Sequence, residues 1–140
     1  PCDNYINAII NRYNDWGILL VVDLMECINK HALVIELEIN LESTPEIYKY
    51  LKLEKQLYLK LLATSLYNRE ENNKFIPLLL QRKDDTILLP SFDEELKIGD
   101  KILIACDEEA LNDMEYICEN IYEFHYALTG EEKRTIFKRN

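Results

Sequence analysis

Residues 33 to 41 alternate between apolar and polar positions. Leu33, Ile35, Leu37, Ile39 and Leu41 fall on one side of an extended chain, and Val34, Glu36, Glu38 and Asn40 on the other. A period of two with charges on one side predicts a half-buried strand. Upstream the period is that of a helix. Ile6, Ile9, Ile10 and Tyr13 predict a helix over 3–14, Trp16-Gly17 interrupts it, and Leu20, Leu24, Cys27, Ile28 and His31 predict another over 18–31. After the strand, Ser43-Thr44-Pro45-Glu46 reads as a helix start. Ser43 or Thr44 caps it, Pro45 suits its first turn, and Glu46 returns a capping-box bond to Ser43. Helical spacing then runs to about Tyr67, with Tyr50, Leu57, Leu61 and Leu62 inward. It slips near Leu53 to Lys55, so one helix or two fit.

Residues 75–82, FIPLLLQR, are a nearly continuous apolar run, short enough for a strand covered on both faces. Pro77 cannot donate to a ladder, which places it at an edge or a strand start. KDD makes a turn and TILLP a second strand, giving a hairpin that ends at Pro90. Gly99 then stands against Asp100, just ahead of the apolar ILIAC. A positive φ at Gly99 delivers the chain into a last strand, and Asp100 bonds back to nearby amides. Asp107 caps a long helix, with Glu108 and Glu109 in its first turn. Leu111, Met114, Ile117, Cys118, Ile121, Tyr122, His125 and Leu128 form its expected stripe, and Gly130 ends it. The order predicts an α+β fold: a small, mainly antiparallel sheet with flanking helices and extra helices at both ends. Such a sheet has open edges, and a homodimer is the expected way to bury what one helix layer leaves over.

Composition narrows the function classes. At 140 residues the chain is the size of one domain, or a small domain with an arm. Its net charge of -10 is spread along the chain and would repel phosphate backbones and anionic membrane surfaces, so no nucleic-acid partner is expected. Four cysteines without a CxxC pair suit a reducing, cytoplasmic setting, with Cys106 and Cys118 as core fillers. The chain starts PCDNY and is expected to be a piece of a longer protein. No catalytic residue and no metal ligand is assigned. His31 and His125 are expected as core or boundary histidines, and Ser43, Ser65 and Ser91 carry no attached base motif. The clusters Asp84-Asp85, Asp93-Glu94-Glu95 and Asp107-Glu108-Glu109 read as solvated turns or a helix first turn rather than a cation site.

One resemblance goes further. IPLLLQRKDDTILLPSFDEELKIGDKILIA, with Arg82, Ile87, Pro90, Leu96, Gly99, Asp100 and the strand Ile102 to Ala105, resembles the C-terminal subdomain of TrkA/RCK proteins, regulators of potassium channels and transporters. YEFHYALTG looks similar to the tail of some bacterial channel-associated members. The segment from Ser43 to Lys74 is longer and more helical than the family pattern, and the family's glycine-rich dinucleotide fingerprint is absent, so no cofactor is assigned to this fragment. The resemblance implies a helical linker arm over 1–31, a TrkA C-terminal-like domain over 32–107, and a C-terminal helix and tail over 108–140. It also implies a non-enzymatic, cytoplasmic ligand-sensing domain of a potassium channel or uptake system, acting through dimerisation. Its partners would be an upstream nucleotide-binding or membrane portion, or a potassium transport subunit, and an unknown small ligand. The alternative is a purely structural dimerisation module with no ligand of its own. Pro90, Gly99 and Asp100 are expected as turn and strand-end devices. Arg82 either pairs with Asp84, Asp85 or Asp100, or holds an anion in a dimer groove.

Overall fold

The computed structural model describes residues 33–131, so the predicted helices over 3–14 and 18–31 lie outside the described residues. Four strands form: β1 (Leu33–Glu38), β2 (Phe75–Arg82), β3 (Asp85–Leu88) and β4 (Lys101–Cys106). They make one antiparallel sheet in the order β1-β4-β2-β3, and with its flanking helices this is the α+β class that the pattern predicts. One apolar row crosses all four strands: Leu37 faces Ile102, Ile102 faces Leu80, and Leu80 faces Ile87. That row belongs to the main core with Ile39, Ile47, Leu57, Leu62, Met114 and Ile117. Ile76, Leu78, Leu79, Leu103 and Ala105 form a second, smaller cluster. Phe75 to Leu80 are therefore buried throughout, as a continuous apolar run requires.

Pro77 is third in β2, a central strand, and stands opposite Ile104 beyond the reach of β3. The register slips by one residue between Pro77 and Leu79. A bulge is one of the few places in a sheet where a residue without an N–H does no harm.

β1 ends sooner than the alternation suggests. Asn40 Oδ1 accepts from the Ser43 N–H at 2.7 Å, and Thr44 Oγ1 both accepts from the Asn40 N–H and donates to the Asn40 carbonyl. The chain turns there and leaves Leu41 exposed. The helix takes Thr44 as its cap position, which leaves Ser43 one residue outside it, so the expected capping box does not form. α1 (Pro45–Lys52) starts after Thr44 without a side-chain cap, and Glu46 reaches Lys49 instead of Ser43.

The helical spacing to Tyr67 also resolves differently. α1 stops at Lys52, Glu54 takes a φ of +60°, and only a 3-10 segment follows at Leu59–Ala63. Between them the backbone bonds sideways rather than to itself. Leu59 and Lys60 donate to the Glu94 and Phe92 carbonyls, and Leu96 donates to Leu57. Leu57, Leu59 and Leu62 are thereby buried while Leu53 stays in solvent.

The last helix is two. α2 (Glu108–Glu119) starts at Asp107, whose carboxylate accepts from the Ala110 N–H at 2.8 Å. α3 (Ile121–Thr129) starts at Asn120, whose Oδ1 accepts from the Tyr122 and Glu123 N–H groups. Asn120 also closes α2 by donating its N–H to Tyr116. A good N-cap residue inside a helical pattern has started a new helix there. The break rotates the buried stripe: α2 buries Ala110, Met114, Ile117 and Cys118, but α3 buries Phe124 and Ala127 and exposes Ile121. Tyr50 of α1 meets Phe124 edge-on at a ring-centroid distance of 5.5 Å. Gly130 ends α3 with a φ of +83°. No helix among the described residues is long and apolar enough to cross a membrane.

Cys118 is buried on α2, and burial, followed by the charges of Glu119 and Glu115, pushes its thiol from an ordinary 9.0 to about 12. Between those values the unfolded chain releases a proton that the folded chain keeps, so this thiol makes stability fall as pH rises through that window. The unfolding free energy in urea should drop more between about pH 9 and about pH 11 in the parent chain than in Cys118→Ala, by a slope of up to about 1.4 kcal/mol per pH unit.

Candidate functional site

Two of the side chains singled out in the sequence, Arg82 and Asp100, meet at one end of the sheet. Leu80 faces Ile102, and counting two residues outward along both strands brings Arg82 abreast of Asp100. Alternation puts both on the face of the main core. Arg82 Nε donates to Asp100 Oδ1 and Nη2 to Asp100 Oδ2, each at 2.9 Å. Nη2 also donates to the Glu95 carbonyl at 2.8 Å, and Nη1 to Glu94 Oε2 at 3.3 Å. Asp100 is buried, and its Oδ2 accepts a further bond from the Lys97 N–H at 2.8 Å.

The turn around this pair is fully knitted. Gly99 has a φ of +92° and donates its N–H to the Ile39 carbonyl, while the Ile39 N–H donates to the Asp100 carbonyl. An added Cβ at Gly99 would meet nothing within 4 Å, so the glycine is there for its backbone angle and not for space. Pro90 is buried just after β3 and follows Leu89, whose N–H reaches the Leu78 carbonyl. Of the three aspartates open to Arg82, Asp100 is the partner. Glu94 and the Glu95 carbonyl were not visible in the sequence, because residues 91–95 carry no periodicity that orients them.

The bidentate contact with Asp100, then the nearby Glu94, holds the Arg82 guanidinium charged well above its already high ordinary value. Two carboxylates share one cation, and four of the five guanidinium N–H groups are spent on protein acceptors. This chemistry suits a structural clamp, and it favours ion pairing over anion holding for Arg82. In two of the other acidic clusters, Glu95 pairs with Lys97 and Asp107 caps α2. Among the described residues, no group of three His, Cys, Asp or Glu side chains could hold a metal ion. His125 is partly exposed and its Nε2 stands 3.2 Å from Glu131 Oε2.

A second place went unmarked in the sequence. Arg69, in the polar loop before β2, donates Nε to the Ala127 carbonyl and Nη2 to the Leu128 carbonyl at the end of α3. Its backbone N–H reaches Tyr126 Oη, and Asp113 Oδ2 accepts from the Leu66 N–H and Asn73 Nδ2. Beside this latch lies a cleft of about 300 Å³, lined among others by Leu57, Lys60, Leu61, Arg69 and Leu128. Each partner lies forty or more residues away in sequence, so no local spacing could announce it.

Comparison with protein-family models, curated proteins and solved structures found no match.

Replacing Arg82 strands a buried carboxylate. Arg82→Met should therefore lose about 3 kcal/mol by urea unfolding, the range for breaking a buried pair from one side. Gly99→Ala should cost about 1 kcal/mol, a pure backbone penalty with no steric part.

Proposed function

We propose that this chain is a cytoplasmic, non-enzymatic regulatory domain of a potassium channel or potassium uptake system, acting through a dimer whose geometry a small ligand biases. The observation that carries the reading is the Arg82–Asp100 clamp. Two of the positions on which the TrkA/RCK resemblance rests, Arg82 and Asp100, lie far apart in sequence yet form a bidentate pair at the sheet end. Arg82 closes β2 onto the Leu-x-x-Gly-Asp turn, Pro90 ends the hairpin, and Gly99 turns the chain into β4.

The strand order supports an association role. Among the described residues β1 and β3 are the sheet's edges, and an open edge calls for a partner or a cover. A ligand would act by binding one dimer geometry more tightly than the other, since only unequal affinity shifts a two-state balance. The rival reading, a dimerisation module without a ligand, draws on the same clamp, because Arg82 is already satisfied by protein groups.

Sedimentation of the full chain with a thermal-shift screen of nucleotides, cyclic dinucleotides and divalent cations tests this. The expected result is a dimer whose melting temperature rises by about 5 °C or more with one ligand at saturation. A dimer deaf to every ligand moves the assignment to the structural module, and a monomer that binds nothing overturns both.

A further inference from the structure

The cleft between the 3-10 segment and the end of α3 is lined by two cations and by no carboxylate. The chain carries a net charge of -10, and Lys49, Arg82, Lys97 and Lys101 each stand within 4.0 Å of a carboxylate. Among the described residues Lys60 and Arg69, which both line the cleft, do not, and neither do Lys52, Lys55 and Lys83 away from it. Lys60 Nζ lies 5.9 Å over the Tyr58 ring, and Arg69 is bonded to carbonyls alone.

Those carbonyls are the negative end of α3, worth roughly half an elementary charge. Against them stand two full positive charges, so the cleft keeps a positive balance in an acidic protein. The rest of its lining is mixed, polar at Gln56, Thr64 and Asn72 and apolar at Tyr58 and Leu128. At about 300 Å³ it reaches the lower end of the range for small-molecule sites. Arg69 cannot drift, because two carbonyl bonds fix its guanidinium before any ligand arrives. A cation placed in advance costs little entropy on binding.

We propose that this cleft binds a small organic anion, its phosphate or carboxylate group held by Lys60 and Arg69 and its body laid against Tyr58 and Leu128. The site needs neither a dimer nor a transport partner, so it stands or falls apart from the regulatory reading.

Phenyl phosphate titrated into the isotope-labelled full chain, followed by amide shifts, tests it. Inorganic phosphate and phenol serve as arms that carry only the charge or only the body. The expected result is saturable shifting at Lys60, Arg69 and Leu128 by phenyl phosphate, with much weaker binding of either half. Lys60→Gln should weaken it about tenfold at an unchanged melting temperature, and Lys60→Glu should abolish it. Shifts gathered elsewhere, failure to saturate, unaltered affinity in Lys60→Gln, or inorganic phosphate binding as tightly as phenyl phosphate would each overturn the proposal.

Discussion

A carboxylate buried at the end of a sheet must be answered, and the answer organises this molecule. Asp100 has almost no contact with water. An unpaired charge in that position would cost several kcal/mol. Arg82 meets it with two parallel N–H bonds, and the Lys97 amide adds a third. Because Arg82 also takes the Glu95 carbonyl and the Glu94 carboxylate, the segment between β3 and β4 is tied down along its length. That segment in turn receives the backbone of residues 57–60, so the clamp reaches the core leucines through two layers of bonds. The net value of such a pair against an apolar substitute is modest, but it admits only one arrangement of the loop.

The clamp depends on a single extra residue in β2. Phe75, Ile76 and Pro77 pair with Cys106, Ala105 and Ile104, and after the bulge Leu79, Leu80 and Gln81 pair with Leu103, Ile102 and Lys101. Without the slip, the residue abreast of Asp100 would be Gln81, and Arg82 would point to the other face. Pro77 hinted at an irregularity, since it has no N–H for a ladder, but nothing in the letters said where the register would move. The two half-strands, the hairpin and the Gly-Asp turn were legible because each rests on a local rule. The choice of Asp100 over Asp84 and Asp85 was not, because it rests on register.

The helical parts divide the same way. Asp107 and Gly130 work as their positions suggest, one as an N-terminal cap and one as a left-handed terminator. Residues 53 to 63 and Asn120 do not follow the apolar spacing. In the first case the backbone found partners across space, in the loop at 92–96. In the second, one amide side chain satisfied two N–H groups that a continuous helix would have bonded internally. A hydrophobic period of about four reports which residues want burial, and is silent on a cap that resets the phase. Arg69 and Asp113 lie further still from any local signal, since what they hold together are a loop and two helices distant in sequence.

The strand order carries a consequence for biosynthesis. β1 is made first among the four strands, yet it pairs only with β4: Leu33 with Cys106, Glu38 with Lys101. The β2–β3 hairpin can close as soon as it is made, whereas β1 must wait until almost all of the described chain has left the ribosome. During that wait a segment with alternating apolar residues has both its backbone rows open to other nascent copies. Glu36 and Glu38 then act as gatekeepers, placing like charges where a stray strand would otherwise dock.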